Sequence, residues 1–76
     1  MRNVAILGAG IGAQHMEGYC AHPGVFHVAT VCDRDLARAE KLAATTSGCV
    51  AVTDIAAVMA DPDVDIVDIC LPPHLH

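Results

Sequence analysis

Aromatic side chains are nearly absent: the 76 residues hold no Trp, one Tyr and one Phe. The 54% hydrophobic content therefore rests on small and branched aliphatic residues. That composition suits a parallel sheet covered by helices on both faces. Basic residues are scarce too, with four Lys plus Arg against nine Asp plus Glu and a formal net charge of −5. Such a surface repels nucleic acid and anionic lipid, so neither is expected as a partner. No apolar run approaches the ~20 residues that a membrane span requires. Cys20, Cys32, Cys49 and Cys70 form no Cys-x-x-Cys pair and no zinc signature, and they read as small buried hydrophobes. Met1-Arg2-Asn3 before an apolar stretch has the outline of an export signal. The glycines in that stretch suit a membrane-seeking core poorly, and no small-x-small cleavage site follows, so the expectation is a cytoplasmic protein.

What the sequence does have is concentrated at its start. Val4 to His15 reads V-A-I-L-G-A-G-I-G-A-Q-H. A short apolar run gives a buried strand, Gly8, Gly10 and Gly12 give a tight turn, and a helix is expected from Ala13 to His22. A strand, a glycine turn and a helix start form the phosphate-cradling turn of a dinucleotide fold. Gly8 permits the sharp turn, and Gly10 lets a pyrophosphate approach the backbone. The helix aims its free N–H groups and positive dipole end at the phosphates. Two registers stay open. In one the third small residue is Ala13; in the other it is Gly12, one residue short of the usual spacing.

The remainder follows as alternating strands and helices. The expected strands are Asn3 to Leu7, Phe26 to Cys32, Cys49 to Val52 and Val64 to Leu71. The first helix should bury Ala13, Met16 and Cys20. The second, Leu36 to about Thr45, should bury Leu36, Ala39 and Ala43. A third, brief helix capped by Thr53 or Asp54 should turn Ile55, Val58 and Met59 inward. Asp33 or Asp35 can cap the second helix. The fold class is α/β: a Rossmann-type parallel sheet, β-α-β-α-β-α-β, in strand order 3-2-1-4. A doubly wound domain ordinarily continues past a fourth strand, so residues 1–76 are expected to be a partial dinucleotide-binding domain. The unpaired edge leaves a homo-oligomer open.

Asp33 lies about twenty residues after Ala13, at the carboxyl end of strand two, where a carboxylate accepts hydrogen bonds from the adenosine ribose. Its charge favours NAD. Arg34 beside it can accept a 2′-phosphate and keeps NADP open. His15 is read as a packed or hydrogen-bonded helical residue. Asp68, deep in an apolar strand, needs hydrogen-bond partners or solvent. Leu71-Pro72-Pro73-His74-Leu75-His76 lies at the point where strand order reverses and should face the nicotinamide half of the cofactor. His74 and His76 have no carboxylate or thiol beside them in sequence, and no metal site is expected. No acid/base set for dehydrogenation is present, and Lys41, the only lysine, is placed away from the crevice.

Taken in order, G-A-G-I-G-A-Q-H, V-C-D-R-D, A-R-A-E-K-L-A, T-D-I-A-A-V-M-A-D-P-D-V-D-I-V-D-I-C and L-P-P-H-L-H resemble the glucose–fructose oxidoreductase / inositol dehydrogenase / rhizopine-catabolism (Gfo/Idh/MocA) family. The resemblance covers essentially the whole chain. It implies the first part of an N-terminal NAD(P)-binding domain, followed in the parent enzyme by a second α/β domain for a sugar or cyclitol. It places Gly8, Gly10, Ile11 and Gly12 along the pyrophosphate. Asp33 and Arg34 would meet the ribose, and Leu71, Pro72 and His76 the nicotinamide side. Two departures stand out: a glycine turn one residue short, and Leu71 where the family often has Thr. The family's Glu-Lys-Pro segment, which carries its catalytic lysine, would lie beyond His76. This chain is then expected to grip and orient NAD or NADP and not to transfer protons. The alternative is a non-catalytic nucleotide-binding, regulatory or oligomerisation module.

Overall fold

The computed structural model describes residues 2–70. Its elements run β1 (Arg2–Leu7), α1 (Ala9–Cys20), β2 (Phe26–Cys32), α2 (Leu36–Ala43), β3 (Val50–Val52), α3 (Ile55–Ala60) and β4 (Ile66–Ile69). The four strands are all parallel, in the order β3-β2-β1-β4. This is the Rossmann-type arrangement that the alternation of apolar runs and helical stretches implies.

β1 is central because its side chains are apolar on both faces. Val4, Ala5 and Ile6 are fully buried and Leu7 nearly so. Successive residues of a strand point to opposite sides. Val4 and Ile6 accordingly pack with Met16 of α1 and with Ala39, Leu42 and Ala43 of α2. Ala5 and Leu7 pack on the other side with Cys32 and Val58 of α3. The register between β1 and β2 shifts at Val4/Ala5, where Val4 faces Val28 and Ala5 faces Thr30. The extra residue on β2 is Ala29.

Each helix start has a local cause. Asp35 caps α2, accepting from the N–H groups of Ala37 and Arg38. Asp54 caps α3, accepting from Ala57 N–H. These short side chains satisfy donors that a first helical turn leaves unpaired. α1 begins directly after Gly8, four residues earlier than the expected Ala13. Gly8 has φ 102° and ψ 98°, a conformation that residues with a Cβ avoid. The Gly12 N–H then closes the first turn on the Gly8 carbonyl at 2.9 Å.

The buried stripes also differ from expectation. In α1 Ala13 and Cys20 are exposed, and the buried positions are Ala9, Gly12 and Met16. Gly12 thus takes the small-residue position against the strand. In α2 Ala39 and Ala43 are buried with Leu42, while Leu36 is exposed. Leu36 flanks the edge strand, lining an open groove with Ala43, Cys49 and Ala51. In the six-residue α3 only Val58 is buried, and Ile55 and Met59 face outward. A helix this short rests on the sheet through one side chain. Of the cysteines, Cys32 and Cys70 are buried, Cys49 is half-buried and Cys20 is exposed.

Candidate functional site

The carboxyl ends of the four strands form one rim, bonded across its width. The residue after β4, β1 and β2 donates its N–H to the last residue of the neighbouring strand: Cys70 to the Leu7 carbonyl (2.7 Å), Gly8 to Cys32 (2.8 Å) and Asp33 to Val52 (3.1 Å). Gly8, Asp33 and Cys70 are therefore aligned on one edge of the sheet, at the mouth of α1.

Asp33 does not cap α2. One of its carboxylate oxygens accepts from Ala9 N–H, the first amide of α1, at 2.9 Å. The other accepts from Asp35 N–H at 2.8 Å. Partial burial pushes its pKa up, but those two backbone bonds, helped by Arg38 and Arg34 nearby, outweigh it and hold the carboxyl below the ordinary aspartate value. A carboxylate offers about four lone-pair sites, so acceptor capacity remains for hydroxyl donors.

Beside the rim, Ala9, Gly10 and Ala13 of α1 and Arg38, Lys41, Leu42 and Thr45 of α2 line an open cavity of about 280 Å³. Nothing lies within 4 Å of where a Cβ on Gly10 would be. Gly12 faces the opposite way, where a Cβ would run into Cγ2 of Ile6. Ile11, in the same turn, is 47% exposed. Sequence reading set Lys41 apart from the site. The fold brings it and Arg38, one turn apart on α2, opposite the glycine turn. Their spacing was the available signal, but the facing of α2 was not legible without the helix packing. Leu71, Pro72 and His76 lie outside the described residues.

A second cluster ties α1 to β4. Asp68 Oδ2 accepts from His15 Nδ1–H and from the Tyr19 hydroxyl, both at 2.7 Å. Cys70 Sγ donates to Asp68 Oδ1 at 3.4 Å and lies 3.3 Å from His15 Nδ1. Burial raises the Asp68 pKa, but the bonds from His15, Tyr19 and Cys70 overcome it and leave the carboxyl below its ordinary value. Burial and then the Asp68 bond push Tyr19 up to about 12, and the same two causes push Cys70 up to about 12. Asp68 thus finds the partners its place in an apolar strand demands. The expectation of no metal site rested on the cysteine spacing and on His74 and His76. This grouping joins residues 53 and 55 positions apart, which spacing along the chain does not reveal. Tyr19, whose ring also meets Phe26 edge-on at 5.1 Å, was not singled out in the sequence.

Asp68→Asn keeps the shape and removes the charge. It should lower stability by about 1.5–3 kcal/mol, the value of hydrogen bonds to a charged group, read from urea midpoints at pH 7. Both Asp33 and Asp68 are depressed in the folded state. Their contribution is therefore complete above the unfolded aspartate value near 3.9 and fades as pH falls through the lower folded values. The acid limb of the wild-type stability curve should be steeper than that of Asp68→Asn.

The model of the Gfo/Idh/MocA group, described as an oxidoreductase family with an NAD-binding Rossmann fold, matches residues 2–76. The chain belongs to this family. Among relatives of this Gfo/Idh/MocA chain, an inositol 2-dehydrogenase of Mycolicibacterium smegmatis is 42% identical over 74 residues, covering 96% of the chain and 21% of the relative. A solved structure of GenD2 from gentamicin A biosynthesis in complex with NAD superposes with a TM-score of 0.84 at 30% identity, over 93% of this chain and 20% of that one. Levoglucosan dehydrogenase in complex with NADH and levoglucosan gives a TM-score of 0.83 at 28% identity, over 99% of this chain and 22% of that one. The chain spans about a fifth of the length of the curated relatives it matches.

No helix among the described residues is long and apolar enough to cross a membrane.

Proposed function

We propose that residues 1–76 are the opening part of the nicotinamide-cofactor domain of an oxidoreductase acting on a cyclitol or sugar. The observation that carries this is the fixed carboxylate of Asp33 at the amino end of α1, beside the open face of Gly10. The site fits a dinucleotide on its own geometry. A Cβ at Gly10 would fill space that a phosphate needs, and α1 carries no acidic side chain of its own in its first turn, the Asp33 carboxylate taking the Ala9 N–H.

In this reading the pyrophosphate rests on the backbone of Gly8, Gly10 and Ile11, and Gly12 brings α1 close enough to β1 to support it. Asp33 accepts from the ribose hydroxyls, which favours NAD, while Arg34 gives NADP a weaker foothold. Leu71, Pro72 and His76 border the nicotinamide side. When bound, the nicotinamide supplies the hydride acceptor. The residues of this chain hold and orient it, and the proton-transfer groups belong to the remainder of the enzyme. The family membership and the inositol-, sugar- and NAD-linked relatives support the same assignment.

Calorimetric titration of the folded chain with NAD and with NADP tests this directly. Saturable binding of NAD, weaker for NADP, is expected. A natively folded protein that binds neither overturns the proposal.

A further inference from the structure

The cluster at the β4 end of the rim holds three residue types that commonly ligate metal ions. It brings an imidazole, a carboxylate and a thiol to one point, and their ligand atoms all lie within 4.8 Å of one another. A tetrahedral zinc ion, with bonds of about 2.0–2.3 Å, spaces its ligand atoms about 3.3–3.6 Å apart. The separation from His15 Nδ1 to Cys70 Sγ is 3.3 Å, and that from Cys70 Sγ to Asp68 Oδ1 is 3.4 Å. Two edges of a coordination tetrahedron, meeting at Sγ, are thus nearly in place. His15 Nδ1 lies 2.7 Å from the other carboxylate oxygen, Oδ2. Binding through Oδ1 leaves Oδ2 to the Tyr19 hydroxyl and needs the imidazole to turn from Oδ2 toward the ion.

We propose that His15, Asp68 and Cys70 form a three-donor binding site for a thiophilic divalent cation, with zinc the best fit. The Sγ proton leaves to solvent, and the imidazole binds through Nδ1 as its neutral tautomer with the hydrogen on Nε2. Water completes the fourth position. Access is open on one side, since the His15 side chain is 44% exposed and that of Asp68 16%. Support comes from behind. The Tyr19 hydroxyl holds Asp68 Oδ2, and the Leu7 carbonyl fixes the Cys70 backbone through its N–H. Such outer partners orient ligands and sharpen affinity. Beside the hard Asp68 carboxylate, the set offers a soft thiolate and a borderline imidazole, and those two donors favour zinc over magnesium or calcium. None of the three residues belongs to the group proposed to grip the cofactor, so this site stands or falls apart from that reading. Occupied, it would clamp α1 to β4.

The test is titration of the chelator-treated, full-length chain with zinc by calorimetry and with cobalt(II) by absorption. One zinc per chain is expected to bind, with micromolar or tighter affinity and a rise in melting temperature. Cobalt should show a thiolate charge-transfer band. Cys70→Ser should abolish that band. His15→Gln, at an exposed position, should weaken zinc binding by at least about tenfold, the smallest loss seen when even an outer partner is removed. Cys20→Ser, at the exposed thiol, should change neither. Wild-type binding no tighter than that of His15→Gln, or a cobalt complex without the thiolate band, overturns the site.

Discussion

Gly12→Val is expected to destabilise the chain by about 3 kcal/mol, near the upper end of the usual cost of overpacking. The new side chain would meet Cγ2 of Ile6, which is fully buried and cannot step aside. α1 would have to lift from β1, the strand that both cores share. Whole domains of this length hold only about 4–11 kcal/mol of stability, so the loss is a large part of the total. Gly10→Ala is the contrasting case. Its Cβ enters open space, and it should leave folding unchanged or improve it by about 0.5–1 kcal/mol through helix propensity. Under the proposed function it should nevertheless weaken dinucleotide binding. Two glycines two positions apart are thus small for opposite reasons, and urea unfolding together with NAD titration separates them.

Asp33→Asn is expected to lower NAD affinity by about 10- to 100-fold, equivalent to losing about 1.5–3 kcal/mol of charge-assisted hydrogen bonding. The amide oxygen can still accept from Ala9 N–H, so α1 should stay in place and circular dichroism should be unchanged, while Asp35 N–H gives up its side-chain acceptor. Affinity for NADP should fall less, or rise, because the charge opposing a 2′-phosphate is gone while Arg34 remains. Equal losses for the two cofactors would place Asp33 in support of the helix and not on the ribose.

Much of the fold was legible because strands and their order depend on local apolar runs. Phe26–Cys32 was delimited correctly from β-branched content, and the parallel order follows from the crossovers. What escaped was tertiary in origin. Glycine is a poor helix former, so Ala9 to Gly12 read as a turn. The contact of Gly12 with Ile6 makes it the first turn of a helix. Ile55, Met59 and Leu36 have apolar side chains at helical spacing, yet α3 reaches the sheet through Val58, and α2 presents Leu36 beside the edge strand. At the candidate site the sequence named Asp33 by its place after β2. It could not show which amides the carboxylate holds. The pairing of His15 and Tyr19 with Asp68 depends on how α1 lies across β4, and nothing short-range encodes that.

The hydrogen bonds that continue the sheet one residue past β1, β2 and β4 bear on dynamics. Connecting segments ordinarily exchange their amide protons quickly. The amides of Gly8, Asp33 and Cys70 should be slow ones, comparable to those within the strands, because each is tied to the neighbouring strand. A molecule arriving at this rim meets a floor already set, so little chain entropy is lost on docking and more of the contact energy survives as affinity.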